Sequence, residues 1–520
     1  MRDETEPYLA RRATIDFIEE IASKRSLVVY AGSGVSIDKT GLNWTALVTT
    51  MMHNQLGESD AVEYFERLSP LEAASVVKQS YIKEFGEDDV NKRLVAELRR
   101  VLYPGQLLRR AQLPDAIVRL VAELHDQDRD VHVVTTNYDD FLERHLAWLD
   151  TPGQNSGNPI LEPVALDFSE DLISRTAMNK AVASYTDCDP EKRRLLHLHG
   201  YVPEDAGTPA TFVTFSEVDY ARAYRLSAEV LGNLLRTHSM LIIGSGLTDP
   251  PLISALASTA ADARRTGLTR LAVVPLQGLQ SSLSTNGRIA EVCRNIDSRM
   301  DHFEVEVTFP DFYSQTAELI TEIRIAAREQ CDGRSYRGTD AEHHERLVTW
   351  WRTWHAPRHL DWETANDDDH KTLRTELEGL QQTFKLKEPM KLEIWIRWEP
   401  DRDPRLLKLW ASSTGTWLRE ETMPVAEISN ESKYVSVASF CHGRPSIYTR
   451  PDDRWRTYLA VPVRIGTREN RDVPVAVITL ASMDPETQIS RRYTSTMSNI
   501  VEAMVAMGTR MVSGGPAGSR

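Results

Sequence analysis

The 520-residue chain contains little cysteine and has no long apolar run. Its four cysteines, Cys188, Cys293, Cys331 and Cys441, lie far apart and form no C-x-x-C pair. This spacing excludes a disulfide framework and a cysteine-rich zinc site, so we expect reduced and mostly buried thiols. No apolar stretch approaches the roughly 18 residues of a membrane span, and the charged N-terminus lacks the apolar segment of a signal peptide. We therefore expect a cytoplasmic protein with no membrane partner.

The chain also lacks an excess of basic residues. It carries 61 Lys and Arg against 76 Asp and Glu, which gives a net charge of −15. Because phosphate backbones are bound by clustered Lys and Arg, we do not expect an extended nucleic-acid-binding face. A hydrophobic fraction of 41% is ordinary for a globular protein, and 520 residues exceed what one core usually supports. The sequence thus predicts two or three domains.

Buried strands and amphipathic helices alternate through the first 330 residues. The predicted strands are 26–31, 131–134, 240–243 and 271–274, and the predicted helices are 15–21, 114–124, 223–237 and 251–264. This alternation favours an α/β fold with a mainly parallel, Rossmann-like sheet, which binds ligands beyond the C-terminal ends of its strands. The segment 151–194, rich in Pro, Gly, Asn and Asp, is predicted to be an inserted, partly helical small subdomain.

A Gly-, Arg- and Asp-rich stretch at about 331–340 is predicted to be a linker. Four apolar residues then form one face of a predicted helix at i, i+3, i+4 and i+7: Leu347, Trp350, Trp351 and Trp354. Such an aromatic stripe usually packs against a core, and we prefer this interpretation to nucleotide stacking. We assign this linker and helix to residues 331–371.

The remaining sequence predicts a small α+β domain with an antiparallel sheet over residues 372–512, followed by a disordered tail over 513–520. A helix with Leu373, Leu377 and Leu380 on one side opens this part. The predicted strands are 392–396, 406–410, 457–465 and 473–480, and a further helix is predicted at 434–443.

Two glycine turns follow predicted strands of the first domain. The segment GSGVS at 32–36 directly follows strand 26–31, and GSGLTD at 244–249 follows strand 240–243. Glycines permit a tight turn and let the backbone approach a pyrophosphate, while a helix N-terminus beyond the turn supplies N–H groups. A purely structural turn explains each segment equally well.

Two polar motifs stand at other strand ends. In TTNYD at 135–139, Asn137 can donate and accept, and Asp139 can receive an amide NH₂ group; the alternative is an Asx turn that caps the following helix. In LLHLHG at 195–200, strand alternation would place His197 and His199 on one face. No Cys, Asp or Glu lies at ligand spacing from them, so we prefer a general-base role for His199 to a metal site.

The succession of these four motifs, with TGLNW at 40–44, resembles the SIR2 family over roughly residues 12–325. It is nearer to the SIR2-like effectors of bacterial anti-phage defence than to protein-deacylating sirtuins. The resemblance implies a Rossmann-like site for NAD⁺, bound as a substrate, lined by Gly32, Ser33, Gly34, Ser36, Thr136, Gly244, Ser245, Gly246 and Asp249. It also implies catalytic roles: Asn137 orients the nicotinamide ribose or water, Asp139 holds nicotinamide, and His199 is the base.

Two departures from classical sirtuins bear on the reaction. Thr136 stands where sirtuins have Gln, and no cysteine lies between His199 and the second glycine turn, where sirtuins carry a four-cysteine zinc module. We therefore predict an NAD⁺ glycohydrolase that releases nicotinamide and ADP-ribose, with no zinc. The alternatives are an NAD-dependent protein deacylase and a non-catalytic sensor that binds NAD or ADP-ribose.

The C-terminal region, 372–512, resembles GAF-type sensor domains. The resemblance is carried by SVASFCHGRP at 436–445 and by the paired strands 458–463 and 474–480. It implies small-molecule sensing or dimerisation. We expect a homo-oligomeric anti-phage effector that depletes NAD⁺ in response to a protein or nucleotide trigger or a partner subunit. For Cys441 and His442 we prefer a structural role to metal binding, because a metal site needs three or four ligands.

Overall fold

A computed structural model gives the conformation of most of the chain. It describes residues 8–56, 67–103, 111–149, 162–166, 175–186, 194–280, 288–336, 345–403, 405–415, 420–429, 432–450, 453–465, 473–485, 487, 489 and 495–513. These residues form an α/β part built on a parallel sheet and an α+β part built on a separate antiparallel sheet, each with its own core.

The first sheet has seven strands, all parallel. They are β1 Ser26–Ala31, β2 Asp130–Thr135, β3 Glu162–Ala165, β4 Arg194–His197, β5 Ser239–Ile243, β6 Arg270–Val273 and β7 Glu306–Thr308. Their order is β3-β4-β2-β1-β5-β6-β7. This confirms the predicted Rossmann-like sheet. The chain order reverses at β1, so the edge beyond the C-terminal ends of β1, β2 and β5 is where such sheets bind ligands.

Helices cover both faces of this sheet. They are Arg12–Ala22, Ile37–Thr40, Trp44–Leu56, Pro70–Phe85, Glu87–Leu102, Gln112–Asp126, Phe141–Leu149, Arg175–Thr186, Glu217–Leu234, Pro250–Thr266, Leu276–Gln280, Ile289–Asp301 and Ser314–Cys331. Alternation along β1 directs Val29 into one core and Val28 into the other. A third cluster, formed mainly by Trp44–Leu56, Pro70–Phe85 and Glu87–Leu102, includes Tyr138 of the TTNYD motif.

The segment predicted as an inserted subdomain divides between two roles. Glu162–Ala165 is the edge strand of the main sheet and pairs in parallel with β4, and Arg175–Thr186 is helical. A short strand of this kind is not distinguished by composition from a loop, because Pro163 and its neighbours carry little apolar pattern. Residues 151–161, 167–174 and 187–193 lie outside the described residues.

The second sheet is antiparallel, with the order β10-β9-β8-β13-β12-β11. Its strands are β8 Met390–Arg397, β9 Leu406–Ser412, β10 Val425–Glu427, β11 Ser446–Thr449, β12 Thr457–Ile465 and β13 Val473–Ser482. The helices of this part are Glu345–Leu360, Trp362–Phe384, Val435–His442 and Ser495–Val512. The predicted α+β class of this region is therefore confirmed.

The tryptophan stripe packs into the core of the second sheet. Leu347, Trp350, Trp351 and Trp354 are all buried. The indole Nε1 atoms of Trp350 and Trp354 donate to the carbonyls of Val512 and Met511, each at 2.9 Å. Because these contacts satisfy both indoles, the packing interpretation holds.

The boundary predicted at residue 372 falls inside a continuous helix, Trp362–Phe384. The preceding tryptophan helix shares the core of the second sheet. We therefore propose that the C-terminal unit begins at about residue 345. Residues 337–344 and 514–520, which include part of the predicted linker and most of the predicted tail, lie outside the described residues.

Three of the four cysteines fall within the described residues. Cys293 and Cys441 are buried and Cys331 is exposed, and none of the three forms a disulfide bond in the described part of the chain. Beside Cys441, Nδ1 of His442 lies 3.2 Å from the Tyr448 hydroxyl. Among the helices of the described residues, none is both long enough and apolar enough to cross a membrane.

Candidate active site

The two glycine turns lie against each other at the C-terminal edge of the sheet. The amide of Gly32 donates to the carbonyl of Ile243 at 2.9 Å, and the amide of Gly34 donates to the carbonyl of Gly244 at 2.8 Å. A Cβ atom on Gly32 would lie 2.6 Å from the Gly244 oxygen, which no side chain tolerates. The turns after β1 and β5 are therefore hydrogen-bonded to each other through their backbones. Their contact is too close for any residue larger than glycine.

Asn137, Ser36 and Asp139 form a buried hydrogen-bonded network beside these turns. The amide Nδ2 of Asn137 donates to the Gly32 carbonyl at 3.1 Å and to the Ser36 hydroxyl at 2.9 Å. The Ser36 hydroxyl in turn donates to Oδ2 of Asp139 at 2.6 Å. Both donors of the Asn137 amide are thus engaged, and within the described part of the chain its Oδ1 is left for a ligand.

The Asp139 carboxylate takes part both in the polar network and in an Asx turn at the start of the following helix. Oδ1 accepts from the amide of Phe141 at 3.3 Å, at the start of helix Phe141–Leu149, while Oδ2 accepts from Ser36. Burial raises the pKa of Asp139 to about 6, although the Ser36 hydrogen bond opposes the shift. The carboxyl group therefore changes charge close to neutral pH, which suits a group that exchanges hydrogen bonds with an amide.

His199 lies at the end of the neighbouring strand in a second cluster. Its Nδ1 is 3.3 Å from the Tyr220 hydroxyl, and its Nε2 is 3.5 Å from Oδ1 of Asp249. This buried Nε2 forms no hydrogen bond among the described residues. Burial lowers the pKa of His199, although the charge of Asp249 opposes the change. The ring is therefore neutral at pH 7, as a general base requires.

Asp249 connects this cluster to the sheet and to the second glycine turn. Its Oδ2 accepts from the Tyr30 hydroxyl on β1 at 3.2 Å and from the amide of Leu252 at 3.2 Å, capping helix Pro250–Thr266. The sequence predicts that Asp249 binds the dinucleotide. In the structure its carboxylate also lies beside His199, with Oδ1 3.5 Å from Nε2.

His197 and His199 contact different side chains, although strand alternation predicts that they share one face. Strand β4 ends at His197, and the chain turns at Gly200, whose φ is +100°. A Cβ atom at Gly200 would lie 2.2 Å from the Phe212 carbonyl oxygen, so only glycine fits this turn. The strand ends before His199, so strand alternation does not set the direction of the His199 side chain.

His197 instead supports the backbone of the TTNYD motif. Its Nδ1 contacts the carbonyl of Asn137 at 3.0 Å, and its Nε2 contacts Oε1 of Glu143 at 2.7 Å. Burial alone would lower the pKa of His197, but the Glu143 carboxylate and the hydrogen bonds together outweigh burial and raise it. Sequence spacing revealed no acidic partner for this histidine, because Glu143 reaches it only through the fold.

The remaining sequence-predicted residues line the same edge. Thr136 donates its backbone amide to the carbonyl of Ala31 at 3.3 Å, and the Ser245 hydroxyl accepts from the amide of Leu247 at 3.1 Å. Ser33 lies in the short 3₁₀ turn between Gly32 and Ser36, and Gly246 follows Ser245. The sequence did not identify Tyr30, Tyr220 or Glu143, for which no motif gave a signal.

Comparison with known proteins gives a family match for part of this site. The family model described as "SIR2-like domain" matches residues 131–286, which include Asn137, His199 and the second glycine turn. A solved structure titled as a SIR2 homolog in complex with NAD is similar at 13% sequence identity, covering 60% of this chain and 94% of that chain with a TM-score of 0.25. A TM-score this low supports no further conclusion.

No curated protein matches the chain. The assignment rests on the family match, which spans the strands from β2 to β6 and the polar side chains at their ends. The parallel sheet and the joined glycine turns agree with it. Residues 131–286 of the chain are therefore similar to the SIR2-like domain family.

Proposed function

We propose that this domain is an NAD⁺ glycohydrolase. The observation that carries the proposal is the network of Ser36, Asn137 and Asp139 packed beside two interlocked glycine turns. The turns offer backbone at the sheet edge where dinucleotides bind, and the network offers an amide oxygen and a titratable carboxyl group. The similarity of residues 131–286 to the SIR2-like domain family supports NAD⁺ as the dinucleotide.

The proposed reaction breaks the bond between nicotinamide and C1′ of the ribose. Water adds its hydroxide to C1′, nicotinamide leaves with the bonding electron pair, and one proton is released, giving ADP-ribose. Positive charge develops on the ribose in the transition state, so the site must fix the sugar and limit access of other nucleophiles. Asn137 Oδ1 positions the ribose or the attacking water, and neutral His199 takes the proton.

The segment between His199 and the second glycine turn favours hydrolysis over protein deacylation. No cysteine lies between His199 and Gly244, so a four-cysteine zinc module is not encoded there. The chain instead forms the helix Glu217–Leu234, whose N-terminus is capped by Ser216 and whose Tyr220 contacts His199. Aromatic packing, 4.9 Å between the rings of His199 and Tyr220, covers one side of the imidazole.

The three candidate functions are separated by one set of incubations. Purified full-length protein is mixed with NAD⁺, with and without an acetyl-lysine peptide, and the products are identified by mass. A glycohydrolase releases nicotinamide and ADP-ribose at the same rate in both mixtures. A deacylase releases nicotinamide only with the peptide and forms O-acetyl-ADP-ribose. Saturable NAD⁺ binding in calorimetry without any product, even after incubation with candidate activators, would favour a sensor.

We further propose that the C-terminal GAF-like unit restrains this activity, since unregulated NAD⁺ hydrolysis would harm the producing cell. Arg444 of that unit donates a hydrogen bond to the carbonyl of Ile37, which directly follows Ser36. Gly443 lies so close to Ser314 and Gln112 that a Cβ would be 2.7 Å and 3.0 Å from them. The Arg444 hydrogen bond thus places a contact of the second unit one residue from Ser36.

We also propose an anti-phage role, which has its own test. Bacteria that express the wild-type chain or His199→Ala are infected with a panel of phages, and cellular NAD⁺ is measured over time. Depletion of NAD⁺ only in infected wild-type cells would support a triggered effector. Equal NAD⁺ levels in both strains, with every phage, would contradict it.

A further inference from the structure

Three side chains that can bind metal ions meet at the opposite edge of the parallel sheet from the candidate active site. They are Asp130, His132 and His238, and one ligand atom from each lies within 4.8 Å of the other two. His132 is 2% exposed and His238 7% exposed, whereas the Asp130 side chain is 56% exposed. The cluster is thus buried on one side and open to solvent on the other.

The strand register explains why these residues meet. His132 pairs across β1 with Val28, and Val28 pairs on its other side with Met240. Side chains two residues apart on a strand share a face, so Asp130 projects to the same side of the sheet as His132. By the same rule His238 projects to the side of Met240, which is the side of His132. The side chains at the starts of β2 and β5 therefore meet on one face of the sheet. Asp130 and His238 are 108 residues apart, so the sequence alone did not indicate this contact.

The hydrogen bonds of His238 define which ring nitrogen faces the cluster. Nδ1 lies 2.8 Å from the Thr237 hydroxyl and 3.1 Å from the carbonyl of Leu234, so this nitrogen is engaged with the chain just before β5 and Nε2 is the nitrogen that faces the cluster. Nε2 lies 3.0 Å from Oδ2 of Asp130. When Nδ1 donates to the Leu234 carbonyl, Nε2 can offer its lone pair to a metal ion beside the Asp130 carboxylate.

His132 adds a second imidazole to the same carboxylate. Its Nε2 lies 3.2 Å from Oδ1 of Asp130, and its ring centroid is 5.0 Å from that of His238. Asp130, His132 and His238 thus present three ligand atoms within 4.8 Å of one another. One divalent cation shared by the three groups satisfies all of them.

We propose that Asp130, His132 and His238 bind a divalent transition-metal ion, with Zn²⁺ the best match to two imidazoles and one carboxylate. Water completes the coordination from the exposed side of Asp130. The Leu234 carbonyl that orients His238 acts as the outer partner that metal-binding histidines usually have. The ion joins the start of β2 to the residue before β5, on both sides of β1, and so stabilises the sheet.

This site is distinct from the proposed catalytic chemistry. Strand β1 has six residues, so the cluster lies roughly 20 Å from the glycine turns at the other end of the strand. Metal binding and NAD⁺ hydrolysis are therefore tested independently. The failure of either proposal leaves the other standing.

The test uses full-length protein without a polyhistidine tag. After chelator treatment and dialysis, Co²⁺ is titrated into wild type, Asp130→Asn and Asp128→Asn, and binding is followed by visible absorption and by a chromophoric competitor. Asp128 is a matched control, because it is exposed two residues away and its positive φ of 59° accommodates asparagine. We expect one ion per chain in wild type and Asp128→Asn, and at least about tenfold weaker binding in Asp130→Asn.

Zn²⁺ should also raise the thermal unfolding midpoint of wild type and leave that of Asp130→Asn unchanged. His238→Gln, which preserves a donor toward Leu234, provides a second variant if Asp130→Asn does not fold. Failure of wild type to bind Co²⁺ and Zn²⁺ would overturn the proposal. Equal affinity of the wild type and the folded ligand variant would also overturn it, because the ion would then be held elsewhere.

Discussion

The Ser36 hydroxyl donates a 2.6 Å hydrogen bond to Oδ2 of Asp139, although 103 residues separate the two in sequence. The same hydroxyl accepts a hydrogen bond from Asn137. One serine therefore joins the loop after β1 to the loop after β2, and it fixes the positions of both polar side chains of the TTNYD motif. Substitutions at this connection and at the glycine turns beside it act directly on the proposed NAD⁺ site.

Replacing Ser36 with alanine removes the central link of the network. Asp139 and Asn137 would each lose a buried partner, and we expect the free energy of unfolding to fall by about 1–3 kcal/mol. NAD⁺ turnover should fall at least about tenfold, since a displaced amide positions the ribose poorly. Urea denaturation and nicotinamide release measure the two effects. Ser258→Ala is the control, because that hydroxyl bonds within its own helix; equal behaviour of both variants would contradict the assigned role of Ser36.

Gly244→Ala tests the contact between the glycine turns. Gly244 has a φ of +66°, and a Cβ there would lie 2.6 Å from the amide nitrogen of Val35. Gly267 has nearly the same φ, +67°, but nothing within 4 Å of its Cβ position. Alanine at Gly267 should cost about 1–2 kcal/mol for its left-handed backbone alone. We expect Gly244→Ala to cost clearly more in urea denaturation; equal losses would show that the two turns are not in tight contact.

Asp139→Asn tests the environment of the buried carboxyl group through pH. The pKa of Asp139 is raised from 3.8 to about 6 by burial, so the folded state binds its proton more tightly than the unfolded state. This group therefore lowers stability as the pH rises through that range, by up to about 3 kcal/mol.

Asparagine cannot ionise, so the variant should gain stability relative to wild type between pH 4 and pH 7.5, by about 1–3 kcal/mol. The free energy of unfolding of Asp139→Asn minus that of wild type is measured at both pH values. The change in this difference isolates the contribution of Asp139, because other titrating groups are the same in both proteins. Asp128→Asn, an exposed substitution, should show no such change. A constant difference between Asp139→Asn and wild type would mean that the pKa of Asp139 is not raised.

Arg444→Ala tests the restraint that we propose for the C-terminal unit. The variant loses the hydrogen bond to Ile37 beside Ser36. We expect basal NAD⁺ turnover to rise several-fold. Coupling between distant sites is typically worth about 0.5–2 kcal/mol, which corresponds to a change of this size. Arg402→Ala, at an exposed site of the same unit, is the control. Unchanged or lower turnover in Arg444→Ala would contradict a restraining contact.

Local patterns predicted the central strands of both sheets well. Strand 26–31 agrees with β1 residue for residue, and 457–465 agrees with β12, because continuous apolar runs ended by glycine or polar residues leave few alternatives. Edge strands were missed. Glu162–Ala165 and Val425–Glu427 are short and partly exposed, so they carry little apolar pattern.

Only the part of the site that lies at strand ends could be predicted from the sequence. Asn137, Asp139, Ser36 and the glycines lie at one sheet edge because parallel strands end together. Contacts that depend on helix packing were not predictable: Tyr220 reaches His199 from a helix, and Glu143 reaches His197 across the fold. The same limit applies to Asp130 and His238, which only strand register brings together.

The most direct test of the proposed NAD⁺ hydrolysis is nicotinamide release from NAD⁺ by three purified full-length proteins. These are wild type, His199→Ala and His302→Ala, whose exposed histidine lies outside the site. Circular dichroism confirms that each variant is folded. We predict that wild type and His302→Ala release nicotinamide and ADP-ribose at equal rates, whereas His199→Ala loses at least about 100-fold, the contribution of a general base. Undiminished release by folded His199→Ala would contradict the proposed function.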